Sequence, residues 1–270
     1  MATILDRIVQ TKQKEVAAAR NAVPLETLVA NAEKAAAPRD FYAALAAPSP
    51  NGIHLIAEVK KASPSAGLIR ADFDPVDIAR QYQQAGASAL SVLTDQTYFH
   101  GRLDHIDQIK ANVPLPVLRK DFIIDEYQVY ESRCFGADAV LLIAEVLGAD
   151  RLTHLADRVH QLGMTALIEV HQQDLLAAVV RVVDLAPRWR RLLGFNNRDL
   201  TVQRTDIATT GRLAAGLTTR PVIVSESGIK TRADVERLVA DGADAILVGE
   251  TLLRSNDIVA KARELLGNPA

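Results

Sequence analysis

Short runs of Val, Ile and Leu recur roughly every 23 to 34 residues after residue 50, with amphipathic stretches between them. The runs are centred near Ala57, Ser91, Leu118, Leu141, Leu167, Gly194, Ile223 and Leu247. Continuous apolar runs are typical of strands that are covered on both faces. The alternation of eight such runs with helical stretches therefore predicts a parallel sheet whose strands are joined by helices.

The predicted helices close in small Gly-Ala turns at Gly86, Gly136 and Gly242, where glycine suits the left-handed end of a helix. Eight βα units in a chain of 270 residues predict the α/β class, as a single (β/α)8 TIM barrel. A doubly wound open sheet is the main alternative. It would normally place a glycine-rich loop after its first strand, where this chain has the charged segment 60–65 (KKASPS).

The first ~50 residues have helical spacing and no strand pattern, in Ile4–Arg20, from Pro24 onward and from Phe41 onward. They predict an N-terminal helical extension, residues 1–50, that packs across one end of the barrel formed by residues 51–270. The alternative is an extension that is frayed or only adds stability.

Composition narrows the class of protein. Charged residues make up 24% and the net charge is -2, which argues against a nucleic-acid or membrane surface. Cys134 is the only cysteine, and charges at Asp6, Arg7, Lys12 and Lys14 interrupt any signal-peptide core. These features predict a cytoplasmic protein. Trp189, in an Arg-rich loop, is predicted to have a surface or hinge role.

Charged and polar residues end several of the predicted strands. Side chains at positions i and i+2 share one face of a strand, so Glu58 and Lys60 point the same way. Lys120, Glu169, Asn196, Arg198 and Ser227 end or follow other strands. In a barrel the carboxyl ends of the strands form the active-site face. The pattern thus predicts a site in which these side chains converge.

The chemistry of these groups suggests their roles. Lys60, Lys120 and Glu169 are candidate general acids and base, and Glu58 is placed to orient Lys60 or keep it protonated. The alternative is a buried structural network of ion pairs. Arg198 suits a substrate carboxylate, and Asn196 suits a hydroxyl or carbonyl.

Gly228 and Gly249 open the last two βα loops, where barrels often bind phosphate through backbone N–H groups. The alternative is two tight turns. Glu250 follows Gly249, and only its backbone N–H is expected to contribute. Phe99 and Phe122 follow strands two and three and either line a pocket for a planar substrate or pack in the core. The six histidines lack ligand-like spacing, so no metal is expected.

The same residues carry a family pattern. The matching blocks are residues 56–65 (IAEVKKASPS), 118–125 (LRKDFIID), 167–171 (LIEVH), 194–200 (GFNNRDL) and 225–229 (SESGI), with an opening helix from Ile4. In order and over nearly the whole chain, these blocks resemble indole-3-glycerol phosphate synthase. The ten-residue first block is the most specific of them.

The resemblance implies a carbon–carbon lyase of tryptophan biosynthesis that uses neither cofactor nor metal. Its substrate would be 1-(2-carboxyphenylamino)-1-deoxyribulose 5-phosphate. By the same resemblance Lys120 is the general acid, Glu169 the general base, and Lys60 a substrate contact that competes for the acid role. Ser63, Ser227, Gly228, Gly249 and the amide of Glu250 match the phosphate and substrate shell. Other tryptophan-pathway enzymes are candidate partners.

The chain departs from the family pattern at two places, and three other functions are compatible with the sequence. Residues 100–102 (HGR) replace a common Gly-Ser, and Glu250 replaces a serine found in some members. The other functions are a sugar-phosphate isomerase such as phosphoribosylanthranilate isomerase, a Schiff-base lyase that uses Lys120 or Lys60, and a non-catalytic barrel that binds a phosphorylated ligand.

Overall fold

Eight parallel strands form a closed barrel in the computed structural model, which describes residues 3–185, 192–199 and 204–268. The barrel strands are β1 (His54–Val59), β4 (Ala89–Leu93), β5 (Val117–Lys120), β6 (Ala139–Ile143), β7 (Thr165–Val170), β8 (Leu192–Asn196), β9 (Val222–Glu226) and β10 (Ala245–Val248). Every neighbouring pair runs in parallel, and β1 closes the ring against β10. The predicted (β/α)8 barrel is thereby confirmed, and each predicted strand centre lies in one of these strands. Trp189 lies outside the described residues.

Helices follow the barrel strands and cover their outer faces. From α4 onward the helices are α4 (Pro75–Ala85), α5 (Gln96–Phe99), α6 (Asp104–Asn112), α7 (Glu126–Cys134), α8 (Ala144–Gln161), α9 (Gln173–Leu185), α10 (Thr209–Ala214), α11 (Arg232–Ala240), α12 (Glu250–Leu253) and α13 (Ile258–Leu266). Gly148, at φ 67°, interrupts α8. Asp74, Asp125 and Thr231 cap the starts of α4, α7 and α11 with side-chain hydrogen bonds. No helix among the described residues is long and apolar enough to cross a membrane.

The strands are buried on both faces because their side chains alternate between two cores. Leu55, Ala57 and Val59 belong to the layer between barrel and helices, whereas Ile56 belongs to the barrel interior. Glu58, two residues beyond Ile56, continues the inward row toward the carboxyl end. In the other strands every second side chain also points inward. The polar groups at the carboxyl ends of the strands therefore meet above the apolar side chains that fill the barrel interior.

Three helices precede the barrel: α1 (Ile4–Ala22), α2 (Leu25–Lys34) and α3 (Phe41–Ala46). The extension was expected across one end, but its helices contact both. Phe41 and Leu45 of α3 are buried with barrel-interior residues, and Arg39 donates to the carbonyls of Val113 and Leu115, just before β5. Hence α3 lies at the amino end of the strands, while α1 reaches the carboxyl end.

Lys12 fastens α1 to the barrel. Its ammonium lies 2.9 Å from Asp121, 3.1 Å from Asp95 and 2.7 Å from Glu15, and it is only 4% exposed. Burial opposes its charge, but the three carboxylates outweigh burial and raise the pKa of Lys12 above its ordinary value. The N-terminal helix is therefore held to the barrel by a buried ion-pair contact.

A small antiparallel hairpin, which periodicity did not predict, follows β1. It consists of β2 (Ala62–Ser63) and β3 (Gly67–Leu68). Arg198 donates to the Ser65 hydroxyl at 2.8 Å, and Arg70 donates back to the carbonyl of Leu253 at 3.2 Å. The hairpin thus connects the first βα loop with the loops that follow β8 and β10.

Candidate active site

A cavity of about 840 Å³ opens at the carboxyl ends of the barrel strands. All of the residues singled out from the sequence line it. They are Glu58, Lys60, Ser63, Phe99, Lys120, Phe122, Glu169, Asn196, Arg198, Ser227, Gly228, Gly249 and Glu250. The fold therefore brings together groups that are far apart along the chain, while their chemical roles remain predictions.

Glu58 and Lys60 form an ion pair at the end of β1. Glu58 is 4% exposed, and burial alone would disfavour its charged form. The cations of Lys60, Lys120 and Arg198 outweigh burial, so the pKa of Glu58 lies below its ordinary value. Glu58 is thus an anion that holds the ammonium of Lys60 at the edge of the cavity.

Lys120 lies at the centre of the charged groups. Its ammonium is 3.3 Å from Glu169 and 3.5 Å from Glu226. Burial works against the charge, but Glu169, Glu226 and Glu58 outweigh it and raise the pKa of Lys120 above its ordinary value. Lys120 is consequently a fixed cation among carboxylates.

Glu226 is a site residue that was not among those predicted from the sequence. It ends β9, is 1% exposed and lines the cavity. Neither of its carboxyl oxygens accepts a hydrogen bond from the residues that the structure describes. Burial, reinforced by Glu169, raises the pKa of Glu226 well above its ordinary value despite the opposing charge of Lys120. The signal was available: Glu226 follows inward Val222 and Val224 at the end of a strand, as Glu58 follows Ile56.

Asn196 links the charged centre to the loop after β8. Its side-chain amide donates to Glu169 at 3.1 Å, and its amide oxygen accepts from the backbone N–H of Arg198 at 3.0 Å. Arg198 extends across the cavity mouth to Ser65 in the hairpin. A substrate carboxylate at the mouth would therefore meet a guanidinium that is already oriented.

The glycine-rich side of the cavity is formed by the loops after β9 and β10. Ser227 and Gly228 both have positive φ, 70° and 81°. Ser63 lies opposite in the hairpin, and its hydroxyl accepts from the backbone N–H of Ala66 at 3.2 Å. Backbone turned in this way can present N–H groups to an anion. This side of the cavity is the place where a phosphate group would fit.

Glu250 does not present an unpaired carboxylate to this side. Arg254 donates to Glu250 at 2.9 Å, one helical turn away. Arg102, the other departure from the family pattern, pairs with Asp104 at 2.6 Å and does not line the cavity. Both departures are thus balanced by a neighbour of opposite charge.

Apolar side chains form the remaining wall. Phe99 and Phe122 face each other with ring centroids 6.2 Å apart, and Ile4, Leu5 and Ile8 of α1 complete the surface. Sequence patterning did not predict the three α1 residues, because it did not say on which barrel end the helix lies. A planar aromatic group fits this wall.

No group of three or more His, Cys, Asp or Glu side chains is arranged to hold a metal ion in residues 3–185, 192–199 and 204–268. The cluster of Glu58, Glu169 and Glu226 is instead balanced by the ammonium groups of Lys60 and Lys120. What the arrangement offers is proton donors and acceptors around one cavity.

Comparison with known proteins gives a consistent result. A family model described as indole-3-glycerol phosphate synthase matches residues 5–265. Indole-3-glycerol phosphate synthase of Rhodopirellula baltica is 46% identical over 266 residues, covering 98% of this chain and all of that protein. The protein of that name in Roseiflexus sp. strain RS-1 is 50% identical over 275 residues, covering 99% of both chains.

Solved structures share the fold at low sequence identity. The 3-hexulose-6-phosphate synthase of Salmonella typhimurium superimposes with a TM-score of 0.64 at 17% identity, covering 80% of this chain and 97% of the other. Orotidine 5'-phosphate decarboxylase of Pyrococcus horikoshii gives 0.57 at 14% identity, covering 78% and 97%. These two likenesses concern the barrel alone.

The family match spans both the N-terminal helices and the barrel, and every block that suggested the resemblance lies within it. The relatives are matched over nearly their full length at close to half identity. The chain belongs to the indole-3-glycerol phosphate synthase family.

Proposed function

We propose that this chain converts 1-(2-carboxyphenylamino)-1-deoxyribulose 5-phosphate into indole-3-glycerol phosphate, carbon dioxide and water, a step of tryptophan biosynthesis. One observation carries the proposal: Lys60, Lys120 and Glu169 converge in a single cavity that also has a glycine-rich side and an aromatic wall. The family of the chain supports the same reaction.

The reaction makes defined demands on the site. The ring carbon that bears the carboxylate bonds to the ketone carbon, and the ketone oxygen takes up a proton. The bond to the carboxylate then breaks, carbon dioxide leaves, and its electron pair returns to the ring. The new hydroxyl leaves as water with a donated proton, and a base removes one proton. The site must therefore supply both an acid and a base.

Lys120 is the proposed general acid at the ketone oxygen. Its raised pKa keeps it cationic, so it stabilises negative charge as that charge develops on the oxygen. Lys60, held by Glu58 at the cavity edge, is the second candidate donor. Glu58 is a positioning residue for Lys60 in this scheme.

Glu169 is the proposed general base. Asn196 and Lys120 both donate to its carboxylate, which fixes its direction. Glu226 adds a second carboxyl, and its raised pKa favours the protonated form. A carboxyl that keeps its proton beside the proposed base is suited to donate a proton in one step while Glu169 accepts one in another.

Arg198 is proposed to bind the substrate carboxylate, with Phe99 and Phe122 against the aromatic ring. Ser63, Ser227 and the backbone amides of Gly228, Gly249 and Glu250 are proposed to bind the phosphate. Inorganic phosphate tests this assignment directly: it is expected to inhibit competitively, raising KM without lowering kcat. Purely non-competitive inhibition would contradict phosphate binding within the cavity.

The function is tested by incubating the protein with the synthetic substrate and recording its ultraviolet spectrum. Formation of an indole changes the chromophore, and release of carbon dioxide in equal amount is expected. Tight binding without spectral change would indicate a non-catalytic barrel. Turnover of phosphoribosylanthranilate instead would indicate the isomerase. Borohydride added with substrate should trap no adduct, whereas trapping would indicate a Schiff base on lysine.

A phosphorylated small molecule is thus the partner that the family supports. A cytoplasmic location and association with other tryptophan-pathway enzymes are further proposals. Co-purification of tagged protein from cell extract, with localisation by microscopy, would test both.

A further inference from the structure

Gly194 lies at an inward position of β8, beside the strand that carries Glu226. A Cβ atom on Gly194 would overlap the carboxyl oxygen Oε1 of Glu226, and it would also lie 3.4 Å from Leu167 Cδ1. The carboxyl group of Glu226 therefore occupies the space that a side chain on β8 would fill.

Backbone conformation does not explain this glycine. Gly194 is not among the glycines with positive φ, so the strand geometry itself would accept another residue. Gly249, which directly follows β10 two strands along the ring, repeats the arrangement: a Cβ there would overlap the carboxylate of Glu58 on the neighbouring strand β1. Two inward carboxyl groups at strand ends thus each lie over a glycine that belongs to, or directly follows, the adjacent strand.

We propose that Gly194 is a positioning residue for the acid/base chemistry: its missing side chain allows the Glu226 carboxyl to lie beside Lys120 and Glu169. The inference rests on the proposed function. Register places Asn196 opposite Glu226, and Gly194 opposite Val224, one inward layer below. The Glu226 side chain extends from its own position on β9 to the space over Gly194 on β8, and only a residue without Cβ leaves room for it there.

A methyl group at position 194 would displace the end of the Glu226 side chain rather than the backbone. Oε1 is the atom that it meets, and this is the far end of a flexible side chain. The Glu226 carboxyl lies 3.5 Å from Lys120 Nζ, and interaction between charges falls with distance and depends on burial. A displaced carboxyl would therefore alter the proton affinity of Glu226 as well as the geometry of its contacts with Lys120 and Glu169.

The test uses four proteins: the parent, Gly194→Ala, Glu226→Asp and the double variant. Aspartate is one methylene shorter and withdraws the carboxyl from the space that the new methyl needs. In the parent background Gly194→Ala is expected to lower kcat at least about tenfold and to move the pH profile of kcat. In the Glu226→Asp background the same alanine is expected to cost less than about twofold.

Gly211→Ala is the matched control. A Cβ at Gly211 would also crowd a carboxylate, that of Asp241 at 2.8 to 2.9 Å, although less closely than a Cβ at Gly194 would crowd Glu226, and neither Gly211 nor Asp241 lines the cavity. This variant should keep the parental kcat and pH profile, so that any loss of stability from crowding alone is measured separately.

Three results would overturn the proposal. The first is a parental kcat and pH profile in Gly194→Ala, and the second is an equal loss of kcat on adding alanine at position 194 to the parent and to Glu226→Asp. The third is failure of both Gly194→Ala and the double variant to fold. If Gly194→Ala alone fails to fold while the double variant folds and matches Glu226→Asp, the steric pairing is supported. If the parent itself forms no indole product, the proposed function fails instead. The pairing of positions 194 and 226 then remains measurable from unfolding free energies of the four proteins.

Discussion

Three carboxyl groups surround the ammonium of Lys120, and they do not share one protonation behaviour. Glu58 is kept ionised by nearby cations, whereas burial and Glu169 raise the pKa of Glu226 well above its ordinary value. Environment, rather than residue type, thus divides the acids into proton holders and anions. The single residues of the site are therefore best probed by measurements that vary pH.

Lys120→Ala removes the cation at the centre of the cavity. We expect kcat to fall at least about a hundredfold, because a positioned proton donor contributes on that order. Ultraviolet assays of indole formation at saturating substrate measure the loss of kcat, and circular dichroism checks the fold. Lys34→Ala, an exposed lysine of α2, is the matched control. Near-parental turnover of Lys120→Ala would refute its assignment as general acid.

Glu226→Gln should change how stability depends on pH. Above the ordinary carboxyl pKa of 4.5 the unfolded chain releases the Glu226 proton, while the folded protein keeps it up to the raised pKa. The contribution of Glu226 to stability is therefore present at low pH and is lost as pH rises. The glutamine variant should gain stability relative to the parent as pH rises from about 4.5 to about 8, in urea unfolding.

The surface variant Glu33→Gln on α2 serves as its control and should show a constant difference from the parent. A constant difference for Glu226→Gln as well would mean that Glu226 is ionised in the folded protein across this range.

At the scale of elements, strand ends and helix ends supply different parts of the site. The barrel strands contribute the acid/base groups, the glycine-containing loops after β9 and β10 line one side, and α1 contributes an apolar surface. Lys12 joins α1 to Asp121, the residue directly after Lys120. The N-terminal helix and the end of β5 are thus joined by a buried ion pair.

Lys12→Met should destabilise the protein by about 3–5 kcal/mol, because it leaves Asp95 buried without its cation and removes one of the two cations beside Asp121, which keeps only Arg119. Urea unfolding measures the change. Lys14→Met, on the exposed face of the same helix, controls for helix propensity and should cost little. If Asp95→Asn in the Lys12→Met background restores no stability, the loss does not come from uncompensated carboxylates.

Periodicity predicted the elements well and the surroundings of the site less well. Inward alternation was enough to place Glu58, Lys120 and Glu169 together, because strand geometry fixes the face of every second residue. Lys12 gave no such signal, since charged residues on an amphipathic helix normally face solvent. The hairpin of β2 and β3 was also missed, because two-residue strands are too short to show a period.

At the scale of the whole molecule, α1 and the hairpin border the mouth of the cavity from two sides. Ile4, Leu5 and Ile8 lie against the same space as Ser63 and Ser65. A ligand that fills the cavity would consequently contact segments that lie outside the barrel strands.

Hydrogen exchange with and without indole-3-glycerol phosphate tests this arrangement. Amides of α1 are expected to exchange at least about threefold more slowly in the presence of the compound, because local opening of the helix would break ligand contacts. Helix α4 contributes no residue to the cavity and provides the internal reference. Protection confined to the barrel loops, with α1 unchanged, would contradict a ligand contact by this helix.

Helix α3 closes the amino end of the barrel, where Phe41 and Leu45 are almost fully buried, and Ile56, Leu118 and Leu167 fill the interior above them. The residues that the structure describes therefore leave no open passage along the barrel axis. In the proposed reaction, the carbon dioxide and water that form in the cavity must leave through the same opening by which the substrate enters. Because substrate and products would share this opening, residues at its rim would influence turnover without touching a reacting atom.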